Sequence, residues 1–309
     1  MDYEQETKDF PVLGLVCITA SPEVRFRTIT RRVLLKLEAK EQEQKLQEIY
    51  EANIDRLHQA IAFCQREKIR LYRMSSNLFP FADTTIGEDV LNQLSHKLNQ
   101  VGKLAQKLGI RIVLHPNQFV VLNSDYPEVI QNSIRILKTH AHIFDLLQLP
   151  RSPWALINIH GGKGDRAKRL IDNVNNLSDS IRSRLSFEND EHTYSAEEIL
   201  EICRATKVPM VFDAHHHLIH EELDSYDDPS VGEMLAAAKT TWEVPQWQLV
   251  HISNGRDRFK DSKHSDLITQ MPRSFRDAPW IEVEAKKKEQ AIAKLRQEWL
   301  QSNIIYLHN

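Results

Sequence analysis

Residues 12–26 read VLGLVCITASPEVRF. The first six form a short, nearly unbroken apolar run, the pattern of a parallel strand covered on both faces. What comes next separates two architectures. A doubly wound dinucleotide-binding sheet needs a glycine-rich turn directly after its first strand, where the backbone must approach a pyrophosphate. ITASPEVRF contains no glycine, so that fold lacks its fingerprint where the fingerprint belongs.

Seven more runs of the same kind follow: IRLYRM (69–74), RIVLH (111–115), ALINIH (155–160), RLSFE (184–188), PMVFD (209–213), QLVHI (248–252) and WIEVE (280–284). Longer segments with helical periodicity lie between them. In 37–67, Leu46, Ile49, Ile54, Leu57 and Ile61 mark one face and charged residues fill the other. Similar segments run through 88–108, 127–147, 165–182, 195–206, 230–240 and 285–301. This alternation, repeated eight times, predicts an α/β fold, the (β/α)8 TIM barrel, which typically takes about 250 residues. The excess length falls in a long first connection and helix, about 18–67. No Pro/Gly/Ser-rich linker interrupts the 309 residues, so 1–309 is read as a single TIM-barrel domain.

Composition narrows the function classes. The chain is 41% hydrophobic and 27% charged with a formal net charge of −3, which excludes a low-complexity tract and a uniformly basic nucleic-acid binder. Cys17, Cys64 and Cys203 are too scattered for a disulfide framework or a thiolate metal site. The opening MDYEQETKD is acidic and polar, unlike a signal or transit peptide, and no apolar run is long enough to span a bilayer. A cytoplasmic location is expected. The 14 histidines are the one unusual feature.

In a TIM barrel the reacting groups stand at the C-terminal ends of the strands. Reading those ends gives His115, His160, Glu188, Asp213, His251 and Glu284. A lone strand-end histidine is usually an ordinary hydrogen-bonded residue, but six consecutive ends that can all ligate a metal argue against coincidence. Imidazole and carboxylate without thiolate suit manganese, zinc or iron, and carboxylates able to bridge suit a divalent cluster of two or three ions. Such clusters hydrolyse phosphoesters. After Asp213 the chain continues AHHHL, expected as a turn carrying three histidines toward the same mouth. Strand parity favours His215 as a further ligand, whereas a chain that has left extended geometry favours His216 equally.

The set YRMSSNLFPF (72–81), HPNQFVVLNS (115–124), NIHGGKGD (158–165), SFEND (186–190), FDAHHH (212–217), HIS (251–253), KHSD (263–266) and EVEAKKKEQA (282–291) resembles the ultraviolet damage endonucleases. The similarity covers most of the chain, and eight motifs in order are a specific signal. That family is similar in fold to endonuclease IV, a TIM barrel with a metal cluster that nicks damaged DNA. The resemblance implies incision 5′ to ultraviolet photoproducts and related lesions, supported by manganese. It implies that His115, His160 and Glu188 hold one ion, that Glu188, Asp213, His251 and Glu284 hold a second, and that His216 and His264 serve a third, which decides for His216. Gln118 and Phe119 fall where family members wedge a polar and an aromatic side chain into the duplex opposite the lesion. Such insertion costs least where damage has already weakened stacking. The chain departs from the family at Leu15, where a tyrosine is usual, at Leu249, where a lysine is usual, and at Phe119, again for tyrosine. Asp83 and Thr84 occupy a region where a histidine is expected. Each departure is expected to remove a polar group from near the metals or the DNA.

Basic residues follow the first strand (Arg25, Arg27, Arg31, Arg32), the fourth (Lys163, Arg166) and the seventh (Arg256, Arg258, Lys260, Lys263). On a barrel these loops surround the metal mouth, so Lys163, Arg256 and Arg258 are expected to contact phosphates without reading sequence. The expected partner is damaged double-stranded DNA, with Glu188 the side chain most needed for turnover. In-line attack by activated water would leave a 3′ hydroxyl and a 5′ phosphate. Two other classes share parts of the pattern: a xylose-isomerase-like barrel acting on a sugar, and a catalytically weakened DNA-damage-binding paralogue.

Overall fold

The computed structural model describes residues 11–116 and 120–301. Eight parallel strands close into a barrel in sequence order: β1 (Val12–Val16), β2 (Leu71–Met74), β3 (Arg111–Leu114), β4 (Ile157–His160), β5 (Leu185–Glu188), β6 (Met210–Asp213), β7 (Leu249–Ile252) and β8 (Trp280–Val283), with β8 returning to pair with β1. Every strand lies within its apolar run. The first connection holds α1 (Arg31–Leu34) and the long α2 (Ala39–Arg66), the second α3 (Thr85–Gln93) and α4 (Ser95–Lys107), and the third α5 (Pro127–Leu146). The fourth holds α6 (Ala167–Asn175) and α7 (Asp179–Arg182), the fifth α8 (Ala196–Thr206), and the sixth α9 (Ala214–His220) and α10 (Pro229–Lys239). After β8 the chain forms α11 (Lys288–Leu295). No helix of the described residues is long and apolar enough to cross a membrane.

Two local expectations are corrected. AHHHL is no turn but the start of α9, because the Asp213 side chain accepts from the backbone N–H of His215 and His216 and nucleates a helix at once. The seventh unit has no α-helix, so the alternation is incomplete. Between β7 and β8 the only helical element of the described chain is a 3-10 turn, Arg273–Asp277. The polar stretch SNGRDRFKDSKHSD has no apolar face to lay on the barrel, and side chains organise it instead. Asn254 Oδ1 accepts from the backbone N–H of Thr269 (2.8 Å) and Gln270 (3.0 Å), and its Nδ2 donates to Tyr226 Oη (3.0 Å).

Strand alternation divides the core in two. Residues of one parity, among them Leu15, Tyr72, Ile112, Phe187, Phe212 and Ile281, pack outward with the helices in one large cluster. Leu15 therefore takes no polar group from the mouth, contrary to expectation. Residues of the other parity fill the axis. Leu71, Val113, Leu156, Val211, Leu249 and Trp280 form a separate buried cluster with Trp242. Gly14 makes room there, since a Cβ on it would stand 2.5 Å from Leu71 Cδ2. Arg111 plugs the lower end: its guanidinium donates to the carbonyls of Trp154 (2.8 Å), Trp247 (2.9 Å) and Pro153 (2.9 Å) and lies 4.9–5.1 Å from the Trp154 and Trp280 ring centroids. Burial pushes its pKa down to about 9. Two residues above Val113, Leu156, Val211, Leu249 and Trp280 in their own runs stand His115, Asn158, Asp213, His251 and Glu282. The axis thus turns from apolar to ligand-bearing within a single pleat.

Candidate metal centre

Glu188, at the end of β5 and 1% exposed, is the hub of the mouth. Its Oε2 lies 3.1 Å from His115 Nε2, and its Oε1 lies 2.8 Å from His251 Nδ1 and 3.6 Å from His216 Nδ1. Neighbouring strands bring the rest to it: His160 pairs in register with Glu188, and Asp213 with His251. Two sets of donor atoms approach within 4.8 Å of one another around this carboxylate, His115/His160/Glu188 and Glu188/Asp213/His216; a third comprises His251, Glu282 and Glu284. Asp213 thus stands beside His216, which the expected partition assigns to a different ion.

Hydrogen bonds behind these side chains aim them. His115 Nδ1 donates to the Pro116 carbonyl at 2.8 Å, which leaves the Nε2 lone pair facing Glu188. His216 Nδ1 donates to the Asn189 carbonyl at 2.9 Å, and its Nε2 stands 3.6 Å from Glu191 Oε2. Asn158 Nδ2 donates to Glu188 Oε2 at 2.5 Å while its Oδ1 accepts from Ser186 Oγ at 2.9 Å, fixing the orientation of the amide. Three buried atoms of the mouth, His160 Nδ1, Asp213 Oδ2 and Glu282 Oε1, have no hydrogen-bond partner. Lone pairs aimed at one another and buried orphan acceptors fit a site built for cations rather than for internal pairing.

The charges say the same. Burial opposes ionisation of Glu188, but His251 and His160 outweigh it and hold the carboxyl well below its ordinary range. Glu284 is likewise held low against burial, by Arg73 and His251. Burial acts against a charged His216, yet Asp213, Glu188 and Glu191 push its pKa up to about 9. His251 is raised well above the ordinary histidine value by Glu188 and Glu282 despite its burial. His160 goes the other way, lowered by burial and by its histidine neighbours against the pull of Glu188.

The three adjacent histidines have three different surroundings. The helical start of α9 swings His215 away, so that its Nε2 donates to the Asp261 carbonyl (2.9 Å) and its Nδ1 lies 2.6 Å from Tyr226 Oη. His217 packs edge-on against Phe212 and lies 3.1 Å from Ser230 Oγ. Only His216 faces Glu188. His264 arrives from the long seventh connection, where it bridges to Gly255, and its Nδ1 lies 3.6 Å from Glu284 Oε2. Arg73, Asn158, Glu191 and Glu282 were not among the expected site residues. Asn158 and Glu282 lie two residues below His160 and Glu284 with the same parity, Arg73 faces the axis from β2 one residue before its end, and Glu191 lies three residues beyond Glu188.

Gln118 and Phe119 lie outside the described residues. Lys163 is exposed, with its Nζ 3.9 Å from Asp125 and 5.9 Å from the Tyr126 ring centroid. Arg256 pairs with Asp257 at 2.7 Å, and Arg258 is exposed on the same connection. Thr84 caps α3 through Gly87 N–H and Asp83 pairs with Arg135, so both serve local structure. Leu249 belongs to the apolar axis cluster, one pleat beneath His251.

The family model of UV-endonuclease UvdE matches residues 11–306. A UV DNA damage endonuclease of Nostoc sp. is 57% identical over 292 residues, 94% of this chain and 91% of that protein. Another, of Deinococcus radiodurans, is 48% identical over 289 residues, 93% of this chain and 95% of that protein. Among solved structures, a crystal structure of SacUVDE is similar at 26% identity and a TM-score of 0.78, covering 93% of this chain and 98% of that one.

Proposed function

This chain belongs to the UV-endonuclease UvdE family, and from that premise we propose that it is a metal-dependent DNA repair endonuclease hydrolysing the phosphodiester 5′ to ultraviolet photoproducts and related lesions. The observation that carries the metal part of the reading is the position of Glu188, whose two oxygens face different histidines, His115 on one side and His251 with His216 on the other.

His115, His160 and Glu188 would hold one ion, and Glu188, Asp213 and His216 a second, with His251, Glu284 and His264 completing the rim. The donor set, imidazole and carboxylate, suits manganese and equally admits zinc or iron. Divalent ions bound there would supply Lewis acidity toward a phosphoryl oxygen and ready ionisation of water at neutral pH. The protein contributes the rest. Glu188 shares its charge between the two sets, Asn158 and Ser186 hold it still, and the carbonyls of Pro116 and Asn189 set the tautomers of His115 and His216. Lys163 and Arg256 would take phosphates of the flanking duplex in exchange for their present carboxylate and aromatic neighbours, and the exposed Arg258 would take another. Gln118 and Phe119 would probe the duplex at the lesion, making recognition a test of how readily a base step opens. Hydrolysis would leave a 3′ hydroxyl and a 5′ phosphate.

Supercoiled plasmid irradiated with ultraviolet light is the direct test. Wild-type protein with manganese should relax it, leave unirradiated plasmid intact and stop on addition of a chelator. Glu188→Gln, which keeps shape and loses the shared charge, should cut at least about a hundredfold more slowly, a loss of ~2.7 kcal/mol of transition-state stabilisation. Binding without cutting by the wild type would favour a damage-binding paralogue, and indifference to DNA would favour a sugar-active barrel.

A further inference from the structure

Of the three groups of donor atoms at the mouth, the third already encloses a cation. His251, Glu282 and Glu284 surround the guanidinium of Arg73, which rises from β2 two residues above Leu71 and is 7% exposed. Its Nη2 bonds both Glu282 Oε2 and Glu284 Oε1 and lies 3.2 Å from His251 Nε2, while its Nε donates to Glu282 Oε2 at 2.8 Å. One nitrogen thus touches every member of the group. A divalent ion there would need all three donors within about 2 Å, in the space that Nη2 occupies. Arginine cannot make way by losing its proton.

The same contacts give Glu282 a different task. His251 Nε2 lies 2.6 Å from Glu282 Oε2, and an ionised carboxylate only accepts, so the hydrogen between them belongs to the imidazole. His251 Nδ1 then faces Glu188 Oε1 at 2.8 Å and Glu284 Oε1 at 3.3 Å, on the side where the other donors converge. Arg73 holds Glu282, Glu282 holds His251, and His251 presents Nδ1 to the centre.

We propose that Arg73 is a built-in cation that closes the His251/Glu282/Glu284 group to metal, and that Arg73 and Glu282 are positioning residues that fix which nitrogen of His251 faces the ions. The inference rests on the metal reading above. It assigns Glu282 no ion of its own, although its residue type and spacing invite one.

Crystals of the full chain soaked in manganese and measured at its absorption edge locate the ions directly. Anomalous peaks should appear beside Glu188 and none within bonding distance of Glu282. Elemental analysis after dialysis adds a count. Glu282→Gln should retain the wild-type number of ions with roughly 10–100-fold weaker affinity, as for other residues that orient a metal-binding histidine. If the site took an ion, the variant would lose one equivalent. Arg73→Lys, which keeps the charge, should also retain the count, and Arg73→Met should gain an ion if it folds. In zinc-loaded protein, nitrogen NMR should show His251 protonated at Nε2. A peak on Glu282, a lost equivalent in Glu282→Gln, or protonation at Nδ1 overturns the proposal. Wild type that binds no ion sinks it together with the metal reading, whereas full metal loading without incision sinks only the assigned activity.

Discussion

At the scale of single residues, the site balances carboxylates against imidazoles whose charges depend on one another. The His216 pKa, raised to about 9, means that the fold favours its protonated form. The stability this contributes to the metal-free protein is fully present below the unfolded value of about 6.5 and is lost as pH rises through about 9. Glu188 is depressed, so its contribution is present above the unfolded value of about 4.3 and is lost as acid takes the pH down through its folded pKa. Metal binding needs the neutral imidazole, so an ion held by His216 would have to displace its proton. Manganese affinity, measured by calorimetry in buffers of different ionisation enthalpy, should rise from pH 6.5 to about 9 with proton release. An affinity flat across that interval would contradict the arrangement. Six of the site residues were legible because each ends an apolar run. Asn158 and Glu282 lie two residues before a run's last residue, where i−2 parity points to the same axis, whereas Arg73 carries no such signal because its run ends one residue later on the outward-facing Met74. His264 had no such signal, for its position is set by a loop and not by a strand.

At the scale of elements, regular pieces follow local rules and the irregular ones follow side chains. The eight strands are legible because buried parallel strands leave little choice of composition. The helix at 214–220 reads as a turn in the sequence because Asp213, as a strand-end ligand, hides its second role as an N-cap. It is both: Oδ1 caps α9 while Oδ2 remains buried and unpartnered at the mouth. The seventh connection was invisible to periodicity because its order comes from Asn254, which is 6% exposed and gathers Thr269, Gln270 and Tyr226. Asn254→Ala should leave two backbone N–H groups without their acceptor and cost about 2–3 kcal/mol. Because Ser265 N–H bonds the Asn254 carbonyl and Lys286 N–H bonds the Ser265 carbonyl, the loosening should spread to His264 and the end of β8. Hydrogen exchange should accelerate over 254–270 while β3 to β5 keep their protection. Unchanged exchange in that segment would show that the loop is held by something other than this side chain.

At the scale of the whole molecule, the two ends of the barrel do different work, as expected when stability residues gather at one rim and reacting groups at the other. Arg111 closes the lower end with three carbonyls and a ring of tryptophans. Arg111→Ala should cost ~3 kcal/mol or more through the cavity and the stranded carbonyls, lowering the melting temperature while leaving the number of bound manganese ions unchanged. The upper end has the opposite problem, for a chain of net charge −3 must approach a polyanion. The solution is local: Arg166 and Arg169 share Asp125 with Lys163, Lys260 pairs with Asp224, and Arg256 with Asp257, all on connections around the mouth. Exposed pairs of this kind contribute little to folding, so the cations can exchange carboxylate for phosphate at small cost. Binding to duplex should therefore weaken linearly in the logarithm of salt concentration. Lys163→Ala and Arg258→Ala should each reduce that slope by about 1 and weaken damaged and undamaged DNA alike. Phe119→Ala should do the reverse, leaving the slope unchanged while the preference for irradiated DNA falls. Fluorescence anisotropy across a salt series on both duplexes separates the two behaviours. A basic-residue variant that lost only the damage preference would mean that these loops read the lesion, and that affinity and discrimination are not divided between charge and wedge.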